Sequence, residues 1–267
     1  GLLDVIIGAG FRNISFLEKI FMEKLSVTII TKNEEKNIAR CLMSVKWADE
    51  IVVLDTHSTD RTVEICRQFT DQVFCVDWHG YGKQKNLCAD RASHNWVLNI
   101  DSDEEISPEG AEEIKEVLRQ GAPKHSVYHF PRKNFFAQRW VRYGGWYPDR
   151  KSRLYDKRQV SFTESQVHEI LAPDENAGSL HNPILHYSFS GMEDYIERQN
   201  RYSTLYAREK MDNGFRAGWS HLVLRPPTAF IKNYFIRQGF RDGFLGLFLA
   251  MAFAFYTFLK YAKTKSI

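Results

Sequence analysis

The sequence predicts an α/β fold: a Rossmann-like, doubly wound and mostly parallel central sheet, followed by amphipathic and aromatic helices. Three observations carry this. Between residues 25 and 118, short apolar runs alternate with segments whose apolar residues recur at helical spacing. Two of those runs stop on acid, one at Asp55 and one at Asp101-Ser102-Asp103-Glu104-Glu105. Near the end, the sixteen residues 244–259 carry no charge and are flanked by cations.

The elements follow in order from residue 25. Residues 26–30 (SVTII) read as a buried strand, and Ile38, Cys41, Leu42 and Val45 place a helix over 33–44. Glu50 to Asp55 is the second strand; the turn-rich residues 56–60 lead into a helix through Phe69. Residues 73–76 make a third strand, with a helix expected around 85–92. Residues 96–100 make the fourth, with a helix over 108–118. Strands alternating with helices argue for a parallel sheet with its loop acids on one edge. After Gly121-Ala122-Pro123 the pattern changes, with strands expected at 127–130, 153–155 and 184–188 and a charged amphipathic helix over 192–211. Arg225-Pro226-Pro227 reads as a joint before the aromatic tail. The expected organisation is an extension over 1–23, a catalytic region over 24–225 with halves 24–120 and 121–225, and C-terminal helices over 226–267.

Composition limits the function. A chain of 267 residues with 43% hydrophobic content can bury a sizeable core, and a net charge of +3 shows no nucleic-acid footprint. Cys41, Cys66, Cys75 and Cys88 form no C-x-x-C pair and lie among apolar neighbours, so reduced core thiols in a cytoplasmic protein are expected. Gly8-Ala9-Gly10 lacks a third glycine where Asn13 stands, which argues against a dinucleotide loop. Residues 1–21 read as an extension, with Met22 as the natural start and no secretory signal. The run 244–259 is short of the roughly 20 residues a spanning helix needs. With Lys232, Arg237, Arg241, Lys260, Lys263 and Lys265 around it, an interfacial helix pair on a membrane surface is expected, the alternative being a buried helix or a homo-oligomer contact.

Ligands of α/β sheets gather beyond the carboxyl ends of the strands. That edge would carry Thr31 with Glu34, Asp55 with Asp60, Lys83 and Lys85, and Asp101 with Asp103. Acids can accept from a base and ribose, lysines can meet a diphosphate, and a D-x-D pair can hold a bridging Mg²⁺ or Mn²⁺. The competing reading of the same acids is support for the helix beginning near Pro108, the role expected for Glu104 and Glu105.

Residues 26–35 (SVTIITKNEE), 47–55 (WADEIVVLD), 80–84 (GYGKQ) and 101–104 (DSDE) resemble the donor half of family-2 GT-A glycosyltransferases. Residues 145–150 (GWYPDR), 153–155 (RLY), 167–169 (VHE), 239–243 (GFRDG) and 256–261 (YTFLKY) resemble, more narrowly, bacterial lipopolysaccharide inner-core β-glucosyltransferases. The resemblance covers about residues 24–263. It implies a GT-A fold and inverting transfer from a nucleotide-sugar, UDP-glucose by the narrower likeness, to a lipid-anchored oligosaccharide at the cytoplasmic face of the inner membrane.

By position the resemblance gives Glu34 and Asp55 to the nucleoside, Asp101 to ribose or sugar and Asp103 to the metal; Thr31, on the same strand-end edge, is a further nucleotide-binding candidate. His57 departs from the Gly or Phe of many relatives. Inversion needs a general base across the sugar from the leaving diphosphate; Glu169 is the expected base, Asp149 the runner-up, and His168 would orient it, meet phosphate or ligate the metal. Trp146 and Tyr147 would form a sugar platform, with Arg150 and Arg153 also binding substrate. Arg201, then Arg198, would meet the diphosphate. Two further readings stay open: transfer to another lipid-linked or polysaccharide acceptor, and an inactive membrane-associated module that binds sugar nucleotides. An aspartyl phosphatase, which also uses D-x-D, would want Thr or Val where Glu105 stands.

Overall fold

The computed structural model describes residues 22–119, 123–164 and 169–266. The chain begins as β1 (Leu25–Thr31), α1 (Ile38–Ser44), β2 (Glu50–Asp55), α2 (Thr62–Cys66), β3 (Val73–Cys75), α3 (Tyr81–Arg91) and β4 (Trp96–Asp101). It continues through β5 (Glu104–Ile106), α4 (Pro108–Arg119), β6 (Val127–Phe136), β7 (Arg139–Trp140), β8 (Asp149–Asp156), β9 (Ser161–Phe162), β10 (Leu171–Ala172), β11 (Gly178–Ser179) and β12 (Ile184–Phe189). The last helices are α5 (Met192–Asp212), α6 (Trp219–Val223), α7 (Arg225–Ile231) and α8 (Phe244–Ser266).

The chain forms two compact units that interleave along the sequence. Of the described residues, one unit takes those from 22 to 131 together with those of 150–184; the other takes those of 132–149 and those from Leu185 on. These units do not coincide with halves meeting at residues 120 and 121.

In the first unit the sheet runs β3-β2-β1-β4-β8-β6. β1 is parallel to β2 and to β4, β2 is parallel to β3, and β8 joins β4 antiparallel. Every residue of β1 is buried, as a central parallel strand covered on both faces requires. On one face Val27, Ile29, Val53, Leu98 and Ile100 pack with Ile38 and Leu42 of α1 and Ile114 and Leu118 of α4. On the other, Ile30, Val52, Leu54 and Val97 pack with Cys88 and Ala89 of α3. The sheet is therefore doubly wound, as expected, and chain order reverses between β1 and β4.

Several boundaries differ from the sequence reading. α1 starts at Ile38, not residue 33, because Asn33 adopts φ 54° and is used to join two loops. Its N–H donates to Ser58 Oγ at 2.8 Å, and its Oδ1 accepts the Thr59 N–H at 2.8 Å. β6 and β8 are longer than expected, and β5 was not expected. Cys41, Cys66 and Cys88 are buried, but Cys75 is exposed, because β3 is only three residues long and lies at the sheet edge. Burial pushes the Cys66 and Cys88 thiols up to about 12.

The second unit has an aromatic core: Phe136, Val141, Tyr195, Leu245, Leu249 and Ala252, with Trp146, Phe189 and Phe248 against them. The Pro226-Pro227 joint lies in the first turn of α7, where a missing N–H costs no intrahelical bond. The chain then passes through a π turn (Lys232–Ile236) and a 3₁₀ turn (Gly239–Asp242) into α8. A Cβ on Gly246 would fall 1.8 Å from the Gly239 carbonyl oxygen, so only glycine lets α8 meet that turn so closely. α8 has 23 residues, longer than the uncharged run of residues 244–259 within it, and is long and apolar enough by length and composition to cross a membrane. Only 39% of its most apolar window is buried.

Candidate active site

The edge formed by the ends of β1, β2 and β4 lies at the reversal of strand order, where α/β sheets bind ligands. Thr31 stands opposite Asp55 and Ile30 opposite Asp101 in the parallel register. Thr31 is 5% exposed, and its hydroxyl has no hydrogen-bond partner among the described residues. Asp55 is fully buried and accepts from the Ser58 N–H at 2.8 Å and the Ser58 hydroxyl at 2.5 Å. The Glu34 N–H donates to Thr62 Oγ1 at 2.8 Å, and Thr62 in turn donates to Asp60 at 2.5 Å. Burial works against the Asp60 charge, but the Thr62 hydroxyl and backbone N–H donors hold its pKa below the usual carboxylate value. The loops after β1 and β2 are thus tied together by side-chain to backbone bonds. His57 has φ 52° and meets Asp77 through Nε2 at 2.8 Å, both side chains exposed.

The chemistry concentrates around Asp101. Its Oδ2 accepts from Nη2 of Arg153, and its Oδ1 lies 3.4 Å from Lys85 Nζ. Lys85 also pairs with Glu169 at 2.9 Å, and Arg153 with Glu104 at 2.6 Å. The Asp101 N–H donates to the other Glu104 oxygen at 3.0 Å. The Arg153 and Lys85 side chains are each 5% exposed and that of Glu104 is fully buried, so these ions are held by one another and not by water. Burial opposes the Arg153 charge, but Asp101 and Glu104 outweigh it and raise its pKa. Burial, then Glu104, Asp103 and Asp101, push the Cys41 thiol up.

Lys85 reaches Glu169 because α3 passes close to residues 162–164. A Cβ on Gly82 would meet the Thr163 carbonyl oxygen at 2.0 Å, and Asn86 brackets Phe162 by accepting its N–H and donating to its carbonyl, both at 2.8 Å. Lys83 is exposed and pairs with Glu164 at 3.3 Å.

Glu104 corrects the sequence reading. It does not support a helix start at the surface; it lies in β5, with Ile106 two residues on also buried, and is the buried counter-ion of Arg153. That period of two was the available signal. Arg153, placed with the substrate contacts, is instead buried against two carboxylates. Arg150 is exposed, and His168 lies outside the described residues.

The remaining candidates belong to the second unit. Asp149 accepts from Arg132 Nε at 3.0 Å and Nη2 at 2.6 Å. Trp146 packs on Phe189 and Tyr195, and Tyr147 stands edge-on to Trp140. Arg198 donates to Asp194 at 2.7 Å and lies over the Phe189 ring; Arg201 is exposed beside Tyr202.

Among the described residues no three His, Cys, Asp or Glu side chains form a cation cage. Asp101 and Asp103 offer the hard oxygens that Mg²⁺ and Mn²⁺ take one or two of beside substrate phosphates. The residues therefore fit an ion that arrives with a diphosphate.

The model of the family described as "Glycosyl transferase family 2" matches residues 26–171, more than half of the chain and the whole of the Asp101 cluster. The chain belongs to glycosyl transferase family 2. This glycosyltransferase is 33% identical to an "Uncharacterized glycosyltransferase" of Rickettsia felis, over 91% of this chain and 90% of the relative. It is 31% identical to the "Lipopolysaccharide core biosynthesis glycosyltransferase LpsC" of Rhizobium meliloti, over 90% and 91%. Among solved structures it is similar to S. aureus TarS 1-349 in complex with UDP-GlcNAc, at 16% identity and TM-score 0.46, covering 91% of each chain.

Proposed function

We propose that this glycosyltransferase moves a sugar from a UDP-sugar, glucose by the sequence resemblance, to an inner-core lipopolysaccharide acceptor, with inversion, on the cytoplasmic face of the inner membrane. The observation that carries the donor site is the buried cluster of Asp101, Arg153, Glu104, Lys85 and Glu169 at the reversal of strand order. The LpsC relative supports the acceptor class.

In this reading the buried Thr31 hydroxyl, Glu34 and Asp55 face the nucleoside, and Lys83 and Lys85 face the diphosphate. Asp103 is the ion ligand, and a bound Mg²⁺ or Mn²⁺ would neutralise charge on the leaving diphosphate. Glu169, oriented by Lys85, takes the proton of the attacking acceptor hydroxyl. Exposed Phe244, Met251, Phe255 and Phe258 on α8, with Phe235, Ile236 and Phe240 before it, supply the apolar surface for the membrane.

The test is transfer of labelled sugar from a panel of UDP-sugars to isolated core oligosaccharide-lipid. Wild type is expected to label the acceptor. Asp103→Asn, folded by circular dichroism, is expected to lose about 100-fold or more in kcat/KM, or roughly 2.7 kcal/mol of transition-state stabilisation. Unchanged turnover in the variant would sink the assignment of Asp103.

A further inference from the structure

We propose that the β6–β7 hairpin of the second unit, together with the turn before α8, holds an anionic group of the acceptor saccharide, a phosphate or a sugar carboxylate. The inference rests on the acceptor class proposed above.

Cations collect here without acids. Residues 132–147 contain four Lys and Arg and no Asp or Glu, and residues 228–243 contain three with a single acid, Asp242. Of these cations Arg132 pairs with Asp149. Asp242 is 5% exposed and serves the backbone: its Oδ2 accepts the Arg142 N–H at 3.1 Å and the Tyr143 N–H at 2.9 Å. That carboxylate joins the turn to the hairpin, and the Gly144 N–H, donated to the Arg237 carbonyl at 2.9 Å, joins them again. Arg139 donates to the Asp242 carbonyl at 3.0 Å and Arg241 to Gln238 Oε1 at 2.9 Å, so these guanidinium groups spend their hydrogen bonds on neutral oxygens.

The hairpin brings two of the charges face to face. Phe135 pairs with Trp140 and Phe136 with Arg139, and the Val141 N–H donates to the Asn134 carbonyl at 3.0 Å, a register that sets Lys133 across from Arg142. Like charges so placed repel. Both are nevertheless held on one ring: Lys133 Nζ lies 4.6 Å and Arg142 Cζ 4.4 Å from the Trp140 centroid, and Arg241 Cζ lies 4.4 Å from that of Tyr143. The Trp140 indole N–H is buried and has no acceptor among the described residues, and an indole can only donate. Opposed cations and an unanswered donor on the same hairpin are what an oxygen anion satisfies together. A membrane surface draws cations that reach out from the protein. Here Lys133 is half-buried and the arginines are pinned over rings, which aims their N–H groups at one small anion.

The experiment uses the full chain and core oligosaccharide released from its lipid, with or without its phosphates removed, both as acceptor of labelled sugar and as titrant in calorimetry. Arg142→Gln and Lys133→Gln, folded by circular dichroism, are each expected to raise the acceptor KM and the calorimetric Kd about tenfold, with kcat within about twofold of wild type. Trp140→Phe, which keeps a ring but loses the N–H, is expected to raise both about threefold. A merely structural hairpin residue would lower the melting temperature and leave Kd in the folded protein where it was. An effect of the variants that vanishes on the dephosphorylated oligosaccharide assigns the group as phosphate, and one that persists assigns it as carboxylate. Wild-type KM and Kd in both Arg142→Gln and Lys133→Gln overturn the proposal. So does an effect seen only with acceptor embedded in anionic vesicles, which would put a membrane phosphate on the hairpin. If Arg142→Gln does not fold, Lys133→Gln decides alone. A wild-type protein that neither binds the oligosaccharide nor glycosylates it would instead overturn the acceptor reading on which this one stands.

Discussion

At Gly82 a methyl group would land 2.0 Å from the Thr163 carbonyl oxygen, and that oxygen belongs to backbone that cannot swing aside. Gly82→Ala is therefore expected to destabilise the first unit by about 1–3 kcal/mol, read as a lower urea midpoint at unchanged slope. A midpoint equal to wild type would show that residues 162–164 are free to withdraw. The placement of Asp101 and Asp103 at the carboxyl end of a buried strand was legible, because an apolar run of strand length stops on them. Arg153 as the partner of Asp101 was not: the two are 52 residues apart, and only the β4–β8 pairing brings them together. Glu104 was misread for the same reason, since a carboxylate in a short run looks solvated until its counter-ion is in view.

Among the elements, the helices and strands of residues 25–118 were legible because apolar spacing has a period and both faces of the sheet are covered. Their first turns were less so. Residues 33–37 have helical composition, but Asn33 at φ 54° and its bonds to Ser58 and Thr59 commit them to a loop. α8 shows a periodic stripe too, with Leu245, Leu249 and Ala252 buried and Phe244, Met251, Phe255 and Phe258 exposed. Burying two such side chains in lipid is worth several kcal/mol, so Met251→Glu with Phe255→Glu is expected to cut binding to anionic vesicles about tenfold or more. Co-sedimentation at wild-type levels would contradict the interfacial reading of α8 and favour a helix whose exposed face meets protein.

For the molecule as a whole, the acid side of its stability follows from carboxylates whose hydrogen bonds outweigh burial. Glu50 is held by Ser26 and Ser93, Glu113 by the His181 and Asn182 backbone, Asp156 by Arg158 and Gln159, and Asp194 by Ser190 and Arg198. Burial opposes each charge, yet all four pKa values are lowered, so each group adds stability that is present above its unfolded value and lost as pH falls through its folded one. The urea midpoint is expected to hold from pH 7 to about 5 and to fall below about pH 4. A midpoint constant down to pH 3 would show that these bonds do not couple to folding. The division into two interleaved units was not legible, because β6 and β8 each carry a boundary within a continuous strand pattern.

The central claim, a donor site at the carboxyl ends of β1, β2 and β4 in the first unit, is tested most directly by a crystal structure of the protein with UDP and Mn²⁺. The expected result is uracil and ribose against the Thr31 and Asp55 loops, with an anomalous Mn²⁺ peak at coordination distance from Asp103 and from the diphosphate. UDP bound away from that edge, or Mn²⁺ held without Asp103, would contradict the account.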